Sequence, residues 1–555
     1  MEPLGEPYYY YYYYYYYYYY YYTGLCVVVL ALVVHVTLRA ATSGTKKRAG
    51  PRLPPGPWQL PLIGNIHHLL TLRGALPHRT MRDLARRHGQ LMLLRLCERA
   101  AVVVSTAAAA REVLHRRDDD PAAAFEQRPS SPGVDELYAR HGMGIVFAPY
   151  GEHWRLLRRV LVAELLGARR VDAFRRVREG EAARLAASFF VNAPSPVNVE
   201  TRLAEFVADS AVRAIAGDRL PDRAAFLKMM EHALDFSSVF DLRDLFPSSR
   251  LVRMLPRSRK AERNRCEAVR LMDDILKHHE ERRKVAETTT SRAWSTCCSG
   301  SRRKARREIL SPTASSWLCW WDPHAGQRNP LSVKKLIGAL RACVVQDVFV
   351  AAIEATTSTL RWAMAELMAN PRVMEKAQSE IRRVLSGQDQ VHEAFLSDLS
   401  YLKAVIKETI RLHPPIPLVP RACGEDRKIQ GYDVPKGTIV LINVWAISRD
   451  PKNWEDPDKF VPERFEGEHA FNFLGSDFEF IPFGAGRRIC PGIAFSQANI
   501  EIALASLLYH FDWELPAGVK PEDIDMTESP GLAVKRKAEL LLHPIPRTGP
   551  SMKCL

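Results

Sequence analysis

The residues best placed to do chemistry lie near the C-terminus, in Phe483-Gly-Ala-Gly-Arg-Arg-Ile-Cys-Pro-Gly492. The glycines, Gly486 among them, allow a tight turn and a close backbone approach to something flat. Cys490 precedes Pro491, a good first helical residue. Behind it, apolar side chains at 493, 500, 504, 507 and 508 fall on one side of a helix. A helix N-terminus and nearby Arg488 would both favour a thiolate. A lone thiolate on a glycine-rich turn suits the axial position of haem iron, where it pushes electron density toward O–O cleavage. A buried structural cysteine is the bland alternative, and the complete Phe-x-x-Gly-x-Arg-x-Cys-x-Gly pattern argues against it.

This pattern resembles the cytochrome P450 haem-thiolate superfamily, and the resemblance runs from about residue 52 to 546. Glu408-Thr-Ile-Arg411 puts an acid and a guanidinium on one helix face at i, i+3. Arg464, in Phe460-Val-Pro-Glu-Arg-Phe465, is available to complete a Glu–Arg–Arg network. The resemblance makes that network structural, bracing the haem core. It also implies haem-propionate contacts from Trp154 and Arg158 in Trp154-Arg-Leu-Leu-Arg158, from Arg421 in Pro417-Leu-Val-Pro-Arg421, and from Arg488. Phe483, Gly486 and Cys490 then complete the haem b site, with Cys490 as the metal ligand. The prolines before residue 58, the Trp154 motif, Asn443-Val-Trp-Ala-Ile-Ser-Arg-Asp-Pro451 and Phe460–Phe465 together resemble the plant A-type group of membrane-bound members.

The family pattern Ala/Gly-Gly-x-Asp/Glu-Thr-Thr/Ser breaks here. Laid on Asp347-Val-Phe-Val-Ala-Ala-Ile-Glu-Ala-Thr-Thr-Ser-Thr-Leu360, the acid is Glu354, the usual glycine is Ala352 and the usual proton-relay threonine is Ala355. Thr356 keeps the next position, but one residue along a helix is about 100° of rotation. A local helix distortion, a substrate hydroxyl or an ordered water would have to restore the missing relay.

The resemblance implies a monooxygenase. Electrons would come from NADPH through a separate diflavin reductase, because no Gly-x-Gly-x-x-Gly stands at a strand-to-helix turn. Glu354 and Thr356 are the expected catalytic pair. The family's substrate contacts map to roughly 142–147, 349–355, 416–419 and 531–534. Ile145, Val146, Phe349, Ala351, Ala352, Ile416, Leu418, Val419, Leu532 and Val534 are small or apolar, which suits a lipophilic molecule. With the plant resemblance this points to specialised metabolism and a terpenoid-like scaffold. Ala355 keeps open a haem-thiolate lyase or isomerase that does not activate O₂, and a third alternative is a non-functional haem-binding or decayed gene product.

The elements that must position these residues are mostly helical. Ala-, Arg-, Leu- and Glu-rich stretches dominate from about residue 75, with strands expected only at Leu91–Leu96, Ala101–Val104 and Thr438–Val444. The expected fold is therefore one large, mainly α domain with a small β component, over residues 67–555. Residues 51–66 carry Pro51-Arg-Leu-Pro-Pro-Gly-Pro-Trp58, read as a stiff linker. Residues 1–50 hold an unbroken tyrosine run, Tyr8 to Tyr22, then the apolar Leu25–Leu38 and a basic flank from Arg39 to Arg52. That order suggests an uncleaved membrane anchor with the body on the cytosolic side of the endoplasmic reticulum. Ser291 to Trp321 has no period and holds four of the ten tryptophans, so it reads as an anomalous insert or a frame-shifted stretch.

Composition agrees. Hydrophobic residues make up 47%, which excludes wholesale disorder, and ten cysteines in 555 residues are too few for a disulfide scaffold. The net charge of +15 fits an acidic redox partner or an anionic membrane. The basic residues are scattered and form no nucleic-acid motif.

Overall fold

The structure is a computed structural model. It describes most of residues 51–547, leaving out 71–75, 116–123, 130–143, 218–221, 238–241, 275–332, 468–470 and scattered single positions. The tyrosine run, the apolar N-terminal stretch and 291–321 therefore lie outside the described residues. Among the described residues no helix is long and apolar enough to cross a membrane.

The main helices are α1 (Pro77–His88), α2 (Glu152–Leu161), α3 (Arg175–Phe190), α4 (Val199–Ala216), α5 (Val333–Ala369), α6 (Pro371–Val384), α7 (Ser400–Leu412) and α8 (Ile493–His510). At 37 residues, α5 is the axis of the molecule, and α4, α7 and α8 pack along it. It stops at Asn370, whose successor Pro371 opens α6, because a residue before proline is pushed out of helical geometry. The principal sheet has the order β1 (Leu91–Leu96), β2 (Arg99–Val104), β4 (Ile439–Asn443), β3 (Leu418–Ala422). All pairs are antiparallel except β2 with β4.

Strand alternation divides the core. Val102, Val104, Val440 and Ile442 face one apolar cluster, while Ala101, Val103, Ile439 and Leu441 face another. The three expected strands appear within a residue or two of their forecast limits. Strand β3 was hidden by Pro420, which is tolerated because β3 is the sheet's edge.

The proline-rich segment is not a free spacer. The Pro55 carbonyl accepts from Leu93 N–H of β1 at 2.8 Å, and Arg52 and Asp433 bond reciprocally at 2.7 Å. A Cβ on Gly56 would lie 2.1 Å from the Leu93 oxygen, so only glycine allows this approach. The first helix, Ile66–Leu70, starts on the expected end of the linker, so the segment merges with the body.

Candidate active site

The chain from Phe483 to Gly492 closes on itself before α8 begins. Cys490 N–H donates to the Phe483 carbonyl at 3.0 Å, and Gly492 N–H donates to Cys490 Sγ at 3.4 Å. Gly486 has φ +73°, and a Cβ there would lie 2.1 Å from the Leu114 oxygen. The Phe483 ring packs 5.3 Å from Phe473, within a cluster that includes Trp454, Phe465 and Phe480. This apolar buttress fixes the turn from one side. Helix α8 starts at Ile493, so Pro491 and Gly492 form the turn before it rather than its first residues.

Burial pushes the Cys490 thiol up, while the Gly492 N–H and the charge of Arg158 pull it down. The expected helper, Arg488, points elsewhere. Its Nε donates to the Glu126 carbonyl at 2.5 Å and its Nη2 to the Ala148 carbonyl at 2.6 Å.

Four arginines converge beside this turn. Trp154 and Arg158 lie one helical turn apart on α2, with the Arg158 guanidinium 5.4 Å from the Trp154 ring and that of Arg488 4.8 Å from it. The Trp154 indole N–H is committed to the Ile145 carbonyl at 3.1 Å. Arg421 is buried on β3, and its Nε has no hydrogen-bond partner. Arg128 donates from Nε to the Val146 carbonyl at 3.1 Å and from Nη1 to the Pro420 carbonyl. It reaches Arg421 because Gln127 bridges to Ala422 at the edge of the sheet.

Burial lowers all four, and repulsion from neighbouring arginines adds to it for Arg128 and Arg488. Desolvation, Arg421 and Arg488 hold Arg128 well below its ordinary value. Burial lowers Arg421 to about 10; burial and then Arg421 lower Arg488 to about 10. Arg158 is lowered by burial. The acid acting on all of them is Glu126. A buried cluster of cations with one acid and an orphaned guanidinium nitrogen requires further anions. Two carboxylates beside a cysteine-bearing turn meet that need, so the residues fit a haem with its propionates.

Arg128 was missed by sequence reasoning. Its local context, Phe125-Glu-Gln-Arg-Pro129, carries no spacing that implies a partner.

Helix α5 runs as one unbroken α-helix through Ala352–Thr356. No distortion swings Thr356 into the place of Ala355. The Thr356 hydroxyl is buried, 3.1 Å from that of Ser496 on α8. The Ala355 carbonyl accepts from the Thr359 hydroxyl at 3.0 Å. Glu354 pairs loosely with Lys535, at 4.0 Å.

The candidate pocket residues divide. Ala352 is half-buried and Ala351 exposed on α5. Phe349 is fully buried against Phe226, at 5.6 Å, so it belongs to the core rather than to a pocket wall. Ile416 is 37% exposed. Val534 is buried, its N–H bonded to Pro415 and its carbonyl to the Ser358 hydroxyl. Leu532, Gly142 and Met143 lie outside the described residues. Asp347, one helical turn before Ala351, is buried and accepts from Val146 N–H at 3.0 Å.

Glu408, Arg411 and Arg464 form one buried network. Arg411 donates to Glu408 from Nε at 2.7 Å and Nη2 at 2.8 Å, and Arg464 Nε adds a third bond at 3.1 Å.

Residues 54–543 match the family model described as Cytochrome P450. The chain is 40% identical over 525 residues to a desmethyl-deoxy-podophyllotoxin synthase of Sinopodophyllum hexandrum, covering 94% of this chain and 96% of the relative. It is also 40% identical over 539 residues to an ent-isokaurene C2/C3-hydroxylase of Oryza sativa subsp. japonica, at 94% and 97% coverage. A zebra fish cytochrome P450 solved with abiraterone superposes with a TM-score of 0.65 at 21% identity, covering 85% of this chain and all of that one, which is a likeness of fold.

Proposed function

Since the chain belongs to the cytochrome P450 family, in its plant A-type group, and is a haem-dependent monooxygenase by family, we propose that it inserts one oxygen of O₂ into a terpenoid-like, lipophilic plant metabolite. Electrons come one at a time from NADPH through a separate diflavin reductase. The apolar N-terminal stretch anchors the chain in the endoplasmic reticulum membrane, with the body facing the cytosol. The observation that carries this reading is the juxtaposition of the Cys490 turn with a buried guanidinium cluster that has too few anions of its own.

When bound, the haem would supply O₂ activation, tuned by its thiolate ligand. Cys490 would ligate the iron, helped toward the thiolate by the Gly492 N–H and Arg158. Arg128, Arg158, Arg421 and Arg488 would hold the propionates. Ala352 and Ala355 on α5 leave space for small reactants, since neither projects beyond Cβ. Glu354 is the acid that organises proton entry along α5. The Thr356 hydroxyl is shared with Ser496, so proton delivery next to Ala355 falls to water or to a hydroxyl on the substrate.

The same pair of observations, Ala355 and the Thr356–Ser496 bond, favours a second reading: a lyase or isomerase acting on an already oxygenated substrate. Turnover in isotopically labelled O₂, with and without NADPH and reductase, decides between them. Label in the product and strict dependence on both support the monooxygenase. Unlabelled product without reductase would establish the lyase or isomerase.

A further inference from the structure

Glu126 is out of place in a site built for anions. It is buried, and its Oε2 has no hydrogen-bond partner. Its main-chain carbonyl takes the Arg488 Nε, which pins residue 126 inside the cluster. A Cβ on Gly486 would lie 3.6 Å from Glu126 Oε1, so the carboxylate also faces the Cys490 turn. All four arginines sense its charge. The Thr356–Ser496 pair and Asp347 are already accounted for by the long helix and its neighbours, but no step of the oxygenation needs this acid.

We propose that Glu126 is a resident third carboxylate of the haem-propionate site, which supports the cluster before the cofactor enters and opposes the propionates afterwards. The inference rests on the haem reading above. With no cofactor bound, four guanidiniums face one carboxylate, and Glu126 is the charge that limits their mutual repulsion. With the cofactor bound, its negative charge repels the propionates and disfavours addition of an electron to the iron. One residue thus trades haem affinity and ease of reduction for a more stable cofactor-free chain.

The test uses the full chain and three variants: Glu126→Gln, which removes the charge; Glu126→Asp, which keeps it; and Ala148→Gly, a packing change nearby. A thiolate-type carbon monoxide spectrum in the unaltered protein first establishes the haem reading, and its absence would count against that reading itself. Haem transfer to excess apomyoglobin, the ferrous-to-ferric ratio at a fixed solution potential, and denaturation of the cofactor-free chain are then measured. Glu126→Gln should transfer haem more slowly and raise the ferrous-to-ferric ratio, each by about tenfold, as one charge acting through a partly screened interior would. Its cofactor-free form should unfold at lower denaturant. Glu126→Asp should stay within about threefold of the unaltered protein in the first two measurements. Unchanged transfer and ratio would overturn the proposal. So would faster haem loss, failure of the glutamine variant to load haem, or an equal response from Ala148→Gly.

Discussion

Replacing Glu408 by alanine should remove about 3–5 kcal/mol of folding stability, because it strips a buried arginine of its carboxylate. The structure sets the ranking. The Glu408 side chain is completely buried and accepts two bonds from Arg411, one from Arg464 and one from the Val461 N–H at 2.8 Å. Arg411, equally buried, keeps only carbonyl acceptors when Glu408 is gone: Ser448 and Pro457 at 2.7 Å and Lys459 at 3.1 Å. Arg411→Ala should therefore cost a similar amount, leaving Glu408 with Arg464 as its only cation beside the Val461 N–H. Arg464 sits nearer the surface, where it also reaches the Glu455 and Asp456 carbonyls, so Arg464→Ala should cost about 1–2 kcal/mol. A domain holds only about 5–15 kcal/mol in total, so the first two variants should accumulate poorly with haem. Denaturant unfolding followed by tryptophan fluorescence gives the three differences by linear extrapolation. Equal losses for Arg464 and Arg411, or a loss under about 1 kcal/mol for Glu408→Ala, would refute the account of a network whose strength resides in its buried pair.

Cys490→Ala should abolish the thiolate-type carbon monoxide band while leaving the helical circular dichroism near that of the parent; an unchanged band would falsify the ligand assignment. Arg128→Ala should speed haem loss to apomyoglobin more than Arg487→Ala, whose side chain lies against Tyr150 at the rim. Ala355→Thr should raise the product formed per NADPH consumed, and an unaltered ratio would remove Ala355 as the cause of any leak. Burial raises the Asp347 carboxyl from 3.8 to about 7, against the opposing pull of the Val146 and Ile145 N–H groups. The folded chain therefore holds a proton that the unfolded chain has already released, and this contribution to stability fades as pH climbs from about 4 to 7. Asp347→Asn should flatten that part of the profile of melting temperature against pH, and an identical slope in both proteins would show that Asp347 is not its source.

What the sequence disclosed and what it concealed divide along one physical line. The Cys490 turn and the Glu408–Arg411 pair are local: a glycine at positive φ and an i, i+3 spacing write their geometry into neighbouring letters. The mainly helical character and the three forecast strands follow from local periodicity in the same way. Arg464 was within reach because its segment resembles a family motif. The remaining features are made by chain crossings. Arg488 finds the Glu126 carbonyl 362 residues away, and Thr356 finds Ser496 across 140. No spacing announces such pairs, so Arg128, Glu126 and Ser496 stayed unremarked. Strand β3 was concealed for the opposite reason, since a proline that forbids a central strand says nothing against an edge.

The path of residues 51–58 has a consequence for the behaviour of this protein in solution. Strand β1 ends the four-stranded sheet, and an uncovered strand edge is a template on which other chains assemble. Here the Pro55 carbonyl caps Leu93, and Asn65 caps Arg95 through both its main chain and its side chain, at 2.6 and 2.7 Å. Prolines suit this post, because a strand of prolines has few N–H groups with which to recruit a further neighbour. The segment is thus a guard against self-association. A chain shortened to begin after Trp58 would lose no part of the catalytic centre, yet it would bare a sticky margin and be expected to precipitate where one beginning at Pro51 stays dispersed.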